Sequence, residues 1–238
     1  MDLVIAKNLD KDYITGKVTV HALEDVSFNI TSGSFVSFVG PSGSGKTTLL
    51  NLIGCLDRPT SGTINVAGTD VSQLDRRTGA LFRGKNIGFI FQDFNLIPVL
   101  SVYENVEYPL IMVKGIHIKD RRKKVMELIE AVGIGSEKDK YPDQLSGGQK
   151  QRVAVARALI TSPKLVLADE PTANLDTQTA AMIIGLMKKM RDELGTTFIF
   201  STHDFRIVDA AEVIHTLRDG RLLDSKQKNT QKKGEQDV

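Results

Sequence analysis

Gly40-Pro41-Ser42-Gly43-Ser44-Gly45-Lys46-Thr47 decides the fold, because it spells G-x-x-x-x-G-K-[ST] between two contrasting neighbours. Val36-Ser37-Phe38-Val39 before it reads as a short buried strand. Thr48 to Leu56 after it reads as a helix, with Leu49, Leu52, Ile53 and Leu56 at i, i+3, i+4 and i+7. A strand, a glycine-rich turn and a helix N-terminus together make a phosphate cradle. The glycines let backbone N–H groups approach phosphate oxygens, and the helix start adds unpaired donors and partial positive charge. Lys46 is placed to reach β- and γ-phosphates, and the Thr47 hydroxyl to ligate Mg²⁺. The alternative, a glycine-rich loop that merely turns the chain, leaves the strand and helix on either side unexplained.

At 238 residues and 41% hydrophobic content, the chain can bury a core in one domain with a small subdomain. Lys+Arg 31 against Asp+Glu 29 gives a net charge of +2. The stretch Ser225 to Val238 holds four lysines and two acids, which accounts for that excess. The body is therefore near neutral, without the footprint of a nucleic-acid binder. The single cysteine, Cys55, makes no disulfide framework and reads as a small buried hydrophobe. No apolar run approaches the ~20 residues that span a bilayer. Asp2, Lys7, Asp10, Lys11 and Asp12 interrupt any signal-peptide core. A cytosolic chain is expected, with any membrane role supplied by a partner.

Leu3 to Ile30 alternates apolar and polar residues around a Thr15-Gly16 break, which predicts antiparallel strands flanking the phosphate-loop strand. Tyr13 is either an ordinary half-buried strand tyrosine or an aromatic able to stack on a flat base. Ile87 to Phe91 reads as a central strand with Gln92 at its end, where a ligand of an α/β sheet would lie. Asp93 to Ile118 is rich in apolar residues and is equally a docking surface or the core of a small helical subdomain. Asp120 to Val132 predicts a helix stopped by Gly133, its Arg121-Arg122-Lys123-Lys124 run a solvated face.

Leu145-Ser146-Gly147-Gly148-Gln149 opens a second serine-glycine helix start, physically another anion site, ahead of a helix to Ile160. Leu165-Val166-Leu167-Ala168 is a buried strand ending in Asp169-Glu170. Two carboxylates leaving an apolar strand suit a metal and an attacking water. Asn174-Leu175-Asp176 starts a helix whose inward face is Ile183, Leu186, Met187, Met190 and Leu194, closed by Gly195. Thr197 to Ser201 is a further strand ending in Thr202-His203-Asp204, and Val213 to Leu222 a closing hairpin.

In this order, the GPSGSGKT loop, Gln92, the LSGGQ stretch, LVLADE, Asn174-Leu175-Asp176 and His203 resemble the ATP-binding subunit of an ABC transporter over residues 1–224. GCLDRPTSG, FIFQDFNLIPVLSVYENVEYPL and ADEPTANLD look most like the branch serving lipoprotein release and macrolide or antimicrobial-peptide export. Ala173 stands where that branch commonly has glycine. The resemblance implies an α/β P-loop NTPase core, an N-terminal antiparallel β subdomain and a helical subdomain over roughly residues 94–160. A disordered polar tail is expected over 225–238. The resemblance also implies ATP and Mg²⁺, with Tyr13 on the adenine and Gly40, Pro41, Ser42, Gly43, Ser44, Gly45, Lys46, Thr47 and Thr48 around the phosphates. Thr47, Gln92 and Asp169 would surround the metal, Glu170 would polarise the water, and His203 would contact the γ-phosphate. Ser146, Gly147, Gly148, Gln149 and Asp176 would serve the partner's site in a head-to-tail homodimer. Integral membrane permease subunits would be the further partners, with the chain peripheral on the inner face of the cell membrane. A cell-division module that transports nothing is the rival reading. A DNA-handling ATPase is weaker still, because no sustained heptad run separates the two loops.

Overall fold

The computed structural model describes residues 1–112 and 118–228. Two sheets face each other. β1 (Asp2–Thr15) and β2 (Val18–Thr31) form a long antiparallel hairpin, joined by β4 (Ser61–Val66) and β5 (Thr69–Asp70) in the order β2-β1-β4-β5. The second sheet has the order β10-β9-β3-β8-β7-β6. It contains β3 (Phe35–Val39), β6 (Ile87–Ile90), β7 (Leu165–Asp169), β8 (Thr197–Ser201), β9 (Val213–Arg218) and β10 (Arg221–Gln227). All neighbours in it are parallel except β9 and β10, which turn on Asp219 and Gly220 at positive φ.

Two strand expectations are corrected. The N-terminal hairpin does not flank the phosphate-loop strand; β3 has β8 and β9 as neighbours, and the hairpin belongs to the other sheet. Alternating sequence suits a one-faced antiparallel sheet, whereas the uniformly apolar β3 needs cover on both faces. Nor is β6 central: among the described residues it is an edge strand, opposite β10. Its apolar character comes from helices α2 (Arg76–Asn86) and α5 (Gly147–Leu159), which pack on it. Gly88 makes that possible, since a Cβ there would overlap the Ala158 carbonyl oxygen.

Among the described residues three apolar clusters result. One fills the space between the sheets, with Val4, Phe28, Phe38, Leu49, Ile53 and Ile64. It includes α1 (Lys46–Ile53), which ends at Gly54, so Leu56 is exposed rather than inward. A second joins the other face of the parallel sheet to α5, to α6 (Thr177–Leu194) and to α7 (Phe205–Ala210), through Phe35, Phe198, Phe200, Ile183, Met187 and Ile207. Leu194, expected on the inward face of α6, is half exposed beside the Gly195 cap.

The third cluster lies among α3 (Val102–Met112), α4 (Ile118–Ala131) and α5, with Val106, Leu110, Ile129, Val153 and Ile160. The apolar segment after Gln92 is thus split between a helical core and an exposed side. Val102, Val106 and Leu110 are core, while Val99, Tyr108, Ile111 and Met112 are exposed. At the C-terminus, Ser225, Lys226 and Gln227 pair with β9, so the polar tail does not start at 225. The rest of that expectation, residues 229–238, lies outside the described residues. Among the described residues no helix is long and apolar enough to cross a membrane.

Candidate functional site

The carboxyl ends of parallel strands are where an α/β sheet offers its crevice, and β3, β7 and β8 end together here. The loop Gly40–Gly45 leaves β3 and runs into α1. Gly40 and Gly45 both hold positive φ, and a Cβ on either would collide with backbone, at Leu217 and at Ala22. Only glycine fits these two positions, which press the loop against its neighbours. Lys46 is buried, and its Nζ donates to Gly40 O at 2.8 Å and Pro41 O at 2.9 Å. Among the described residues no carboxylate pairs with it. A buried ammonium held by carbonyls alone awaits an anion.

Thr47 Oγ1 donates to Asp169 Oδ2 at 3.1 Å, which joins the first residues of α1 to the end of β7. The next residue, Glu170, holds φ +44° and donates its N–H to Ser201 O. Its carboxylate is gripped by the end of β8: Oε2 accepts from Thr202 Oγ1 at 2.8 Å, and Oε1 pairs with His203 Nδ1 at 2.6 Å. One cleft of about 640 Å³ is lined by Gly40 to Thr48, Gln92, Asp169, Glu170, Ala173, Ser201 and His203, with Val20, His21 and Ala22 from β2 on its far wall. Ser44 Oγ and Ser201 Oγ are buried at this cleft with no hydrogen-bond partner among the described residues.

The cradle closed to any Cβ, the unpaired lysine and the orphaned hydroxyls fit a nucleotide's phosphates. The hydroxyl of Thr47 and the carboxylate of Asp169 are hard oxygen donors that fit Mg²⁺.

Other expected site residues stand elsewhere. Tyr13 is not in the cleft wall: its hydroxyl donates to Asp57 Oδ2 at 2.9 Å, and the Lys11 ammonium lies 4.8 Å from its ring centroid. Burial and the bond to Asp57 push the Tyr13 phenol pKa up. Ser146 caps α5 in a reciprocal pair with Gln149, and Gly147 and Gly148 lie against the start of α6. Asp176 caps α6 and accepts from Gln178 N and Thr179 N; these bonds, Thr179's first, hold its carboxyl below the usual range. The α5 and α6 starts thus form a second polar face outside the cleft of their own chain. Val20, His21, Ala22, Ser201 and Thr202 carry no motif, and sequence reasoning did not single them out. Only their positions in β2, at the end of β8 and in the turn after it place them at the site.

Cleft and fold define a phosphate-loop nucleotide-binding domain. A profile of the ABC transporter family matches residues 23–173. The lipoprotein-releasing system ATP-binding protein LolD of Anaeromyxobacter dehalogenans is 46% identical, over 90% of this chain and 89% of that protein. The macrolide export ATP-binding/permease protein MacB of Syntrophobacter fumaroxidans is 44% identical over 92% of this chain, which spans 31% of that larger protein. The dimeric, post-hydrolysis ATP-binding cassette MJ0796, bound to ADP and Pi, superposes with a TM-score of 0.87 at 43% identity, covering 94% of this chain and 98% of that one. The chain belongs to the ABC transporter family, as its ATP-binding and ATP-hydrolysing domain.

Proposed function

We propose that this ATPase is the energy-coupling subunit of a membrane complex that exports or releases a lipoprotein, an antimicrobial peptide or a drug. It works as a homodimer that clasps two ATP molecules. The observation that carries this reading is that the expected site residues fall on two separate faces of one chain. Lys46, Thr47, Asp169, Glu170 and His203 share the cleft, while Ser146 to Gln149 and Asp176 stand on another face. A two-fold, head-to-tail pair completes both sites at once. The dimeric state of MJ0796 supports the pairing, and the names LolD and MacB favour release or export over a cell-division role.

In the closed site the loop N–H groups and Lys46 hold the triphosphate, and Tyr13 stacks on the adenine once its ring swings from Asp57. Thr47, Asp169 and Gln92 would hold Mg²⁺, which neutralises phosphate charge. Glu170 orients the attacking water and takes its proton, while His203 turns to the γ-phosphate. Ser146, Gly147, Gly148 and Gln149 of one protomer touch the γ-phosphate held by the other, so ATP favours closure and phosphate release favours opening. The exposed Val99, Tyr108, Ile111 and Met112 beyond Gln92 would meet the permease subunits, placing the chain peripherally on the cytoplasmic face.

Glu170→Gln tests the chemistry. Turnover falls by about 100-fold or more, and the variant forms a dimer on ATP addition, read by light scattering on a sizing column. Turnover near wild type rejects Glu170 as the base. Detergent co-purification tests the partner: a multispan membrane protein with a large extracytoplasmic domain is the expected companion.

A further inference from the structure

The turn after β8 is built around one buried hydroxyl. Thr202 is fully buried and its own N–H is fixed to Phe38 O at 3.1 Å, at the end of the strand that feeds the phosphate loop. Its Oγ1 accepts the Asp204 N–H at 3.0 Å. The Asp204 N–H uses none of the hydroxyl's single proton, and an ionised carboxylate can only accept, so the proton goes to Glu170 Oε2 at 2.8 Å. Direction is thereby set: Thr202 donates and the carboxylate accepts.

The turn itself does not yield. Asp204 Oδ2 accepts from Thr172 Oγ1 at 2.6 Å, and Asp204 pairs with Arg206 at 2.6 Å and caps α7. Burial opposes the charge on Asp204, yet the bonds from Arg206 and Thr172 bring its pKa down to about 2. Thr172 lies two residues beyond Glu170, so the turn that holds the carboxylate is also tied to the chain just past the glutamate. Glu170 keeps a left-handed φ of +44°, which a glutamate holds only where its surroundings over-determine it.

The two partners of the carboxylate differ. The His203 side chain is 77% exposed, whereas Thr202 is not exposed at all. We infer that Thr202 is a positioning residue. It holds Oε2 of Glu170 in place so that Oε1, once His203 leaves it, faces the attacking water. This rests on the reading of Glu170 as base. In the step it serves, the water oxygen bonds to the γ-phosphorus, the bond to the β–γ bridging oxygen breaks, and the water proton passes to Oε1.

Thr202→Val removes the donor and keeps the shape, and Thr202→Ser keeps the donor. The expected result for Thr202→Val is a kcat about 30-fold lower with KM for ATP within about twofold, and recovery of most of the rate in Thr202→Ser. In the Glu170→Gln background, Thr202→Val adds no further loss and leaves ATP-driven dimerisation intact, which reports folding and binding independently of turnover. Wild-type kcat in Thr202→Val, equal loss in Thr202→Ser, or loss expressed in KM overturns the inference. Glu170→Gln measured alongside separates the two failures: if it turns over normally the base reading falls, and if it is inactive while Thr202→Val is not, only the role of Thr202 falls. Should Thr202→Val not fold, Thr202→Ala and Thr202→Ser at matched melting temperature carry the same comparison.

Discussion

At the scale of residues, the site is a set of side chains held in readiness by partners they must give up. Lys46 rests on two carbonyl oxygens of its own loop, a weak substitute for phosphate, and the exchange supplies part of the binding energy. Lys46→Ala therefore loses ATP affinity by at least about tenfold in a calorimetric titration, and normal affinity would argue against the cradle. A second residue acts on stability instead. His215 on β9 stacks on Phe38 at 4.9 Å between ring centroids, and its Nδ1 pairs with Ser225 Oγ at 2.8 Å. Burial pushes its pKa down to about 4, from an ordinary 6.5. Between those two values the unfolded chain binds more protons than the folded one, so stability rises with pH through this window, by on the order of 3 kcal/mol in full. Urea unfolding from pH 7 to 4.5 shows that slope in the wild type and a flatter one in His215→Phe. An unchanged slope assigns the dependence elsewhere.

At the scale of elements, legibility followed chemistry that is local. The phosphate loop, β7, α4, α6 and the closing hairpin were readable because each announces itself by periodicity, a glycine stop or a carboxylate pair. Helices α2 and α7 were not: α2 is mostly polar and α7 has six residues, and only their caps, Asp75 and Asp204, signalled them. The edge position of β6 was hidden because helix cover makes an edge strand look central. Tyr13 was legible as an aromatic near a turn, but its tether to Asp57 joins residues far apart in sequence. Two substitutions test the element picture. Gly88→Ala forces α5 off β6 and lowers stability by about 2 kcal/mol in denaturant unfolding; a neutral effect would mean that the contact relaxes freely. Ser146→Ala loses a helix cap worth about 1 kcal/mol. It leaves ATP binding to the single chain unchanged and weakens ATP-driven dimerisation; weakened single-chain binding would place Ser146 at its own cleft.

At the scale of the whole molecule, three cores make three jobs separable. The intersheet core anchors the phosphate loop, the second core carries Asp169, Glu170 and the Thr202 turn, and the third carries the α5 start together with the exposed face of α3. Because α5 belongs to both the second and third cores, a shift of its N-terminal end toward nucleotide is felt at α3 as well. On the proposed function, that shift would tie nucleotide binding to a partner covering the exposed Val99, Tyr108, Ile111 and Met112. The claim beneath all of this is that neither chain alone completes a site. The structure of the Glu170→Gln protein trapped with ATP tests it. The expected result is each triphosphate between Lys46 of one protomer and Ser146 of its partner; Lys46 and Ser146 of a single chain on the same triphosphate would contradict it.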